Sequence, residues 1–359
     1  MTDDSTTPPT PHKRRPRYAG KYPRRFEDKY KERDPQRHGD TLAKVLASGK
    51  TPAGTHRPIM VAEILEVLAP KPGELGLDCT LGYGGHAQEI LPRLQPGGKL
   101  LGLDADPVEL PKTEARLRAL GFGPETFLAH RSNFAGLPQV LATHFSSLAP
   151  SDGERAGVRV ADFILADLGV SSMQLDDPSR GFSVKSDGPL DMRMNPQRGQ
   201  SAATLLEKIK PDALAALLAE NADEPHAAAL ARELAGKKLS STFALAHAIR
   251  AALPHASRDE ADLSVRRVFQ ALRIAVNDEF SALETFLRHL PECLNPGGRV
   301  AILTFHSGED RRVKKSFEAG LREGIYVDIA RDVTRPSREE LRSNPRSTPA
   351  KLRWARRAG

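Results

Sequence analysis

Three groups of residues in this chain have the types and spacing to bind a ligand and act on it. The first is Asp78 with the turn Gly82-Tyr83-Gly84-Gly85-His86, set between an apolar run and a helical pattern. Main-chain amides bared by glycines at such a junction hold nucleotide-shaped cofactors. The second is Asp104, which closes the next apolar run, "LLGLDAD", where an acid accepts hydrogen bonds from ribose hydroxyls. The third is the segment Ala161 to Ala202, in which "ADFILADLG" runs into a stretch dense with Gly, Ser, Asp and Arg, and Asp167 marks the junction. A dinucleotide fingerprint is G-x-G-x-x-G, and its third glycine is missing here. An acid beside the turn repels a pyrophosphate but suits a cationic or amino-bearing ligand. S-adenosylmethionine therefore fits better than a dinucleotide, although a glycine turn between strand and helix is also a common structural device.

The elements that must carry these residues alternate. "GELGLDCTL", "GGKLLGLDA", "ETFLAH", "ADFILADLG" and "GRVAILTF" are short apolar runs followed by turn signals, with helical periods between the first four. Such βα alternation predicts an α/β fold, a parallel sheet covered by helices, with its ligands at the strand ends. The fourth and fifth runs are separated by a long stretch that includes "PDALAALLAENADEPHAAALARELAG" and "TFALAHAIRAALP", which have helix periods and no strand pattern. It is too long for a loop, so an inserted helical domain is expected there. The resulting division is a basic extension over 1–54, a first part of the sheet domain over 55–174, an insert over 175–277, and a second part with a basic tail over 278–359.

Composition narrows the function classes. No apolar run is long enough to span a membrane, and the N-terminal residues lack the apolar middle of a secretory signal. Cys79 and Cys293 are the only cysteines, too few for a disulfide framework or a zinc site, so no metal is expected and a cytoplasmic location fits. The net charge of +7 is concentrated at the ends: residues 1–40 carry eleven Lys or Arg against seven Asp or Glu, and residues 335–359 carry eight against two. Between His12 and Phe26 there are seven basic residues and no acids, interleaved with Tyr18, Tyr22 and Phe26. That pattern reads either as a solvated tail or as a nucleic-acid contact, in which cations meet phosphates and aromatics stack on bases.

The long segment 161–202, together with "HRPIMVAEILEVL", "TLGYGGH", "FQALRIAVNDE", "GGRVAILTFHSGEDRRVKKSF" and "NPRSTPAKLR", closely resembles the RsmH/MraW family. The resemblance runs in order from about Thr55 to Arg353 and leaves the first 54 residues outside. It implies a Rossmann-like class I S-adenosylmethionine-dependent methyltransferase sheet. It also implies methyl transfer to the exocyclic N4 amine of a cytosine in 16S ribosomal RNA, with the small ribosomal subunit as partner and no membrane. By the same resemblance, Gly84, Gly85 and His86 are cofactor contacts at the turn, Asp104 is the ribose acid, and Phe134 contacts the adenine side. Asp167 and Gln174 contact the cofactor from the end of the fourth strand. The chain departs from the family at Gly308, where Leu is usual, at Met173, where Pro is usual, and in "ADLSVRRV". A loosened helix start is expected at Gly308.

An exocyclic amine attacks poorly because its lone pair is delocalised into the ring, so an acceptor must draw on its N–H. Methylation at cytosine carbon needs a Cys nucleophile instead, and neither cysteine has a base motif beside it. Asp167 could accept from the amine, contact the cofactor, or both. Arg180, Arg193 and Arg198 could hold phosphates or their own loop, with an Asp191–Arg193 ion pair as the simpler alternative. Arg266, Arg267 and Arg273 could face RNA or pair with acids. Two rivals come from other classes, a nicotinamide-dependent dehydrogenase and a non-enzymatic ribosome-assembly protein. A methyltransferase acting on DNA or protein is a third.

Overall fold

Strand formation follows the apolar runs, and the strand ends fix where the acids fall. The computed structural model describes residues 58–145 and 160–359, all of them within one unit, His56–Gly359. The extension 1–54, with its basic stretch between His12 and Phe26, lies outside the described residues. The chain begins with α1 (Val61–Leu68), β1 (Leu75–Asp78), α2 (Gly85–Ile90), β2 (Lys99–Asp104), α3 (Glu109–Ala119), β3 (Phe127–Arg131), α4 (Leu137–Phe145) and β4 (Ala161–Asp167). The helical stretch follows as α5 (Ser172–Asp176), α6 (Ala202–Lys208), α7 (Pro211–Ala222), α8 (Ala227–Leu234), α9 (Thr242–Ala251), α10 (Arg258–Asn277) and α11 (Glu279–His289). Last come β5 (Leu294–Thr304), α12 (Ser307–Arg322), β6 (Tyr326–Ile329), α13 (Arg338–Ser343) and β7 (Lys351–Arg357).

The sheet has the order β3-β2-β1-β4-β5-β7-β6. Its first five strands are parallel, while β7 runs antiparallel to both β5 and β6. The Rossmann-like class I methyltransferase sheet is thus present, but it is mixed rather than wholly parallel. The basic C-terminal end is also not a tail. Residues 351–357 form β7, between β5 and β6, and bury Leu352 and Ala355. The one arginine buried there, Arg353, is neutralised by Asp310, with Nε to Oδ1 at 2.6 Å, and Lys351 reaches the other oxygen at 3.1 Å. The acid that makes the strand possible lies on α12, so the local sequence reads only as charge.

Period-two alternation gives each strand two apolar faces. Leu77, Leu103, Ala166 and Ile302 face Val140, Phe286 and Phe317 from α4, α11 and α12. Leu100, Phe163, Leu165 and Ala301 face Ile64, Ile90 and Leu117 from α1, α2 and α3. Each fully buried leucine or phenylalanine contributes about 1.5–3 kcal/mol. Gly76 is required beneath Phe163, because a Cβ there would lie 2.1 Å from the ring. A third cluster, from Phe182 to Leu272, is formed by α6 to α10 and the loop before them. Strand register then aligns the acids. Asp78 pairs with Gly102 and Leu165, Asp104 with Arg131, and Asp167 with Leu303. All three lie on one rim, at the carboxyl ends of the strands beside the β1/β4 switch point, where open α/β sheets bind ligands.

Candidate functional site

The glycine turn is built by the backbone and braced from α3. Gly84 has φ +77° as the residue before α2, a left-handed conformation that side chains resist. A Cβ on it would lie 3.0 Å from Thr113 Cγ2. Thr113 Oγ1 donates to the Gly82 carbonyl at 2.6 Å, and Arg116 donates to the Tyr83 carbonyl while its guanidinium lies 3.3 Å from the centre of the Tyr83 ring. Gly85 is small for a different reason than a ligand's approach. Its missing Cβ faces the Pro58 ring, with three ring atoms at 3.1 Å. The His86 ring is buried and its Nε2 lies 3.0 Å from the Ile59 carbonyl. A carbonyl only accepts, so Nε2 carries the proton and Nδ1 is left as a lone pair.

Asp104 is held by main-chain amides. Its Oδ2 accepts from Gly82 at 2.8 Å and its Oδ1 from Asp106 at 2.8 Å. Asp106, 1 % exposed, is a residue that sequence spacing did not single out. One of its oxygens caps the start of α3 through the amides of Val108 and Glu109. The other accepts from Gln174 Nε2 and from Arg180 Nη1, each at 2.9 Å. The Gln174 amide oxygen accepts from Ser171 N, so both ends of that side chain are engaged within the protein. Arg180 also donates to the carbonyls of Arg193 and Met194. Of the three loop arginines, Arg180 therefore holds the loop, Arg193 is bidentate to Asp191, and Arg198 is exposed.

Asp167 stands apart. Its amide donates to Thr80 Oγ1 at 2.6 Å, which ties the ends of β1 and β4 together. Its carboxylate Oδ2 lies 3.7 Å from His86 Nδ1, and its buried Oδ1 has no hydrogen-bond partner among the described residues. Burial pushes Asp167 up to about 7, helped by the charge of Glu309. Burial also raises Asp78 and Asp104 to about 6, against the opposing pull of His86 on the first and of the Asp106 and Gly82 amides on the second. His86 is held below its usual range by burial, with Asp78 opposing. Phe134, half-buried after β3, stands edge-on to Phe286 at 5.5 Å.

The "FQALRIAVNDE" motif closes the insert onto this rim. Asn277 at the end of α10 accepts from the Met194 amide at 2.7 Å and donates to the Met192 carbonyl at 2.8 Å. Asp278 turns the chain at φ 50°. Arg273 pairs with Glu279 through two bonds of 2.8 and 2.9 Å, so it faces an acid rather than RNA. Gly308 does not loosen its helix. α12 begins at Ser307 and continues through it, and the space of its missing Cβ holds Phe280, whose Cζ would lie 2.5 Å away.

A model of the MraW methylase family matches residues 53–358. The chain belongs to that family. Ribosomal RNA small subunit methyltransferase H 1 of Lachnoclostridium phytofermentans is 49% identical over 97% of this chain and 93% of its own. Methyltransferase H 2 of Alkaliphilus metalliredigens is 50% identical over 96% and 97%, and methyltransferase H of Symbiobacterium thermophilum is 39% identical over 83% and 95%. The family match begins at residue 53, where the resemblance placed it, while the first two alignments cover 97% and 96% of the chain and so reach into the basic extension. A solved structure, TrmN from Thermus thermophilus, overlaps at a TM-score of 0.38 with 15% identity, covering 83% of this chain and 48% of that one. Family membership makes the chain an S-adenosylmethionine-dependent methyltransferase acting on ribosomal RNA, and excludes the dehydrogenase and the non-enzymatic assembly protein.

The rim fits a methyl donor that carries positive charge. Three desolvated carboxylates with raised proton affinities, one with an unpartnered oxygen, gain most from a cationic ligand. Beside them, the left-handed Gly84 shapes the turn that leads into α2.

Proposed function

We propose that this protein methylates the N4 amine of a cytosine in 16S ribosomal RNA, acting on the small ribosomal subunit. The observation that carries amine over carbon chemistry is the contrast between thiols and acid. Cys79 and Cys293 are both buried in the core under the sheet, and burial pushes the first thiol well up and the second to about 12. Neither is available as the thiolate that carbon methylation requires. Asp167, by contrast, offers a free oxygen at the end of β4.

S-adenosylmethionine, when bound, supplies a methyl group on a sulfonium that leaves as a neutral thioether. The turn at Gly84, Gly85 and His86 holds it through main-chain groups, since the His86 ring is turned to Ile59. Asp104 accepts from its ribose hydroxyls and Phe134 borders its adenine. Asp167 faces its cationic end, and Gln174 secures that loop through Asp106. The insert over 175–277 recognises RNA, with the exposed Arg266 on α10 among its contacts. The basic extension 1–54 adds phosphate contacts, which position a protein without choosing a base. Transfer of tritiated methyl to small subunits lacking the modification, followed by nucleoside analysis, tests the reading. N4-methylcytidine is the expected product; 5-methylcytidine or an unmodified RNA would refute it.

A further inference from the structure

The rim continues past Asp167 into a group of residues that the cofactor does not account for. β5 lies beside β4 with Leu303 opposite Asp167, so the chain leaving β5 emerges next to that acid. There His306 precedes α12 with its side chain 9 % exposed. Neither ring nitrogen has a hydrogen-bond partner among the described residues. Nε2 lies 3.2 Å from Glu309 Oε1, close enough for ion pairing but without hydrogen-bond alignment. The other Glu309 oxygen accepts from the Phe305 amide at 2.9 Å.

Three features keep this pair in place and its carboxylate ionised. Glu309 is held below the usual carboxylate range despite its burial, by His306, Arg273 and the Phe305 amide. Phe280 from α11 packs against the imidazole at 5.7 Å between centroids, and Arg312 lies 3.6 Å over the Phe280 ring. The charged groups that bear on the pair from neighbouring elements are Arg273 of α10, Glu279 of α11 and Asp167 of β4. Because Asp167 pairs with Leu303 and a Cβ on Gly169 would lie 3.8 Å from the Phe305 ring, the imidazole, its carboxylate and Asp167 stand at the same end of the rim. Buried polar groups are ordinarily satisfied. An imidazole whose Nε2 faces a fixed carboxylate, and whose Nδ1 has no hydrogen-bond partner among the described residues, has the form of a base waiting for a substrate proton.

We propose that His306, steadied by Glu309, is a catalytic residue that takes the proton from the target amine. This rests on the cytosine-N4 reading above. In the step, the N4 lone pair forms the N–C bond while the donor's S–C bond breaks and sulfur leaves with that electron pair. The N4 group, now positively charged, gives one proton to the imidazole and regains the N–H bonding pair. The imidazolium is stabilised beside the Glu309 carboxylate and loses its proton to solvent after product departs. Asp167 is left to hold the donor's cationic end.

The test uses the full chain with small subunits lacking the modification. His306→Ala and His306→Gln are compared with wild type for donor affinity by calorimetry and for single-turnover rate at saturating donor and subunit. The expected result is donor affinity within about twofold of wild type and a rate lowered by roughly 10²–10⁴, the usual range for a lost general base. Added imidazole restores His306→Ala by an order of magnitude or more and leaves His306→Gln unchanged. Rates within threefold of wild type in both variants would overturn the proposal. Loss of donor affinity in both would overturn it too, since His306 would then be a structural support. A wild-type protein that methylates another position would instead refute the functional reading, whatever the variants do.

Discussion

The two ends of the strand rim are finished differently. At the end of β2 both oxygens of each acid have a place: Asp104 accepts two amides, and Asp106 accepts from Gln174, Arg180 and the start of α3. At the ends of β4 and β5, Asp167 Oδ1 and both nitrogens of His306 are buried without hydrogen-bond partners among the described residues. One end is preorganised by the protein's own bonds. The other keeps polar atoms in reserve for groups that arrive and react. A methyltransferase needs both, since it must hold a donor in a fixed pose and draw a proton from an acceptor.

Breaking the organised end should have the largest effect. Asp106→Ala would leave Arg180 unpaired beside a buried space and release Gln174 together with the loop after β4. Removing one partner of a buried pair costs about 3–5 kcal/mol, read as a lowered midpoint in denaturant. Donor affinity should fall with it, although Asp106 is assigned no contact to the donor. An unchanged midpoint would show that the hub is not structural.

A smaller effect is expected at the other end from Gly308→Leu. The new Cβ would lie 2.5 Å from Phe280 Cζ and 3.2 Å from His306 Nδ1. Overpacking of this kind costs about 1–3 kcal/mol, and a second change, Phe280→Leu, should recover part of it by vacating the space. Thermal unfolding of the single and double variants checks this. Failure of Phe280→Leu to relieve the strain would mean that the two positions do not share that space.

The smallest effect concerns pH. Asp104 and Asp78 titrate near 6 and Asp167 near 7, so each holds more protons at pH 6 than an ordinary carboxylate. A cationic donor favours the ionised forms and lowers these values, so binding near pH 6 to 7 releases protons. Affinity then weakens as pH falls through that window, because the acids must first be deprotonated. Calorimetry in buffers of different ionisation enthalpy measures the proton release directly. Asp167→Asn should reduce it and weaken binding, while leaving the rate at saturation nearly intact.

What the sequence made legible follows from range. The glycine turn, Asp78, Asp104 and Asp167 were readable because strand, turn and acid are neighbours in the chain. Residues with distant partners were not. Asp106 looks like a second acid after Asp104 until Gln174 and Arg180 return to it. β7 looks like a basic tail until Asp310 pairs with Arg353. Gly85 was readable as a turn glycine, but its packing against Pro58 was not. His306 and Glu309 sit three residues apart in "FHSGED", yet only the folded structure reveals that the imidazole is buried with no hydrogen-bond partner among the described residues.

The division of the rim is tested most directly by measuring two variants side by side, Asp104→Ala and His306→Ala, each for donor affinity and for single-turnover rate at saturating donor. Loss of a charge-assisted hydrogen bond costs about 1.5–3 kcal/mol. Asp104→Ala should therefore weaken donor binding by roughly 10- to 150-fold and leave the saturated rate near wild type. His306→Ala should do the reverse. If both variants changed the same quantity, affinity alone or rate alone, the separation of a binding end from a reacting end would be wrong.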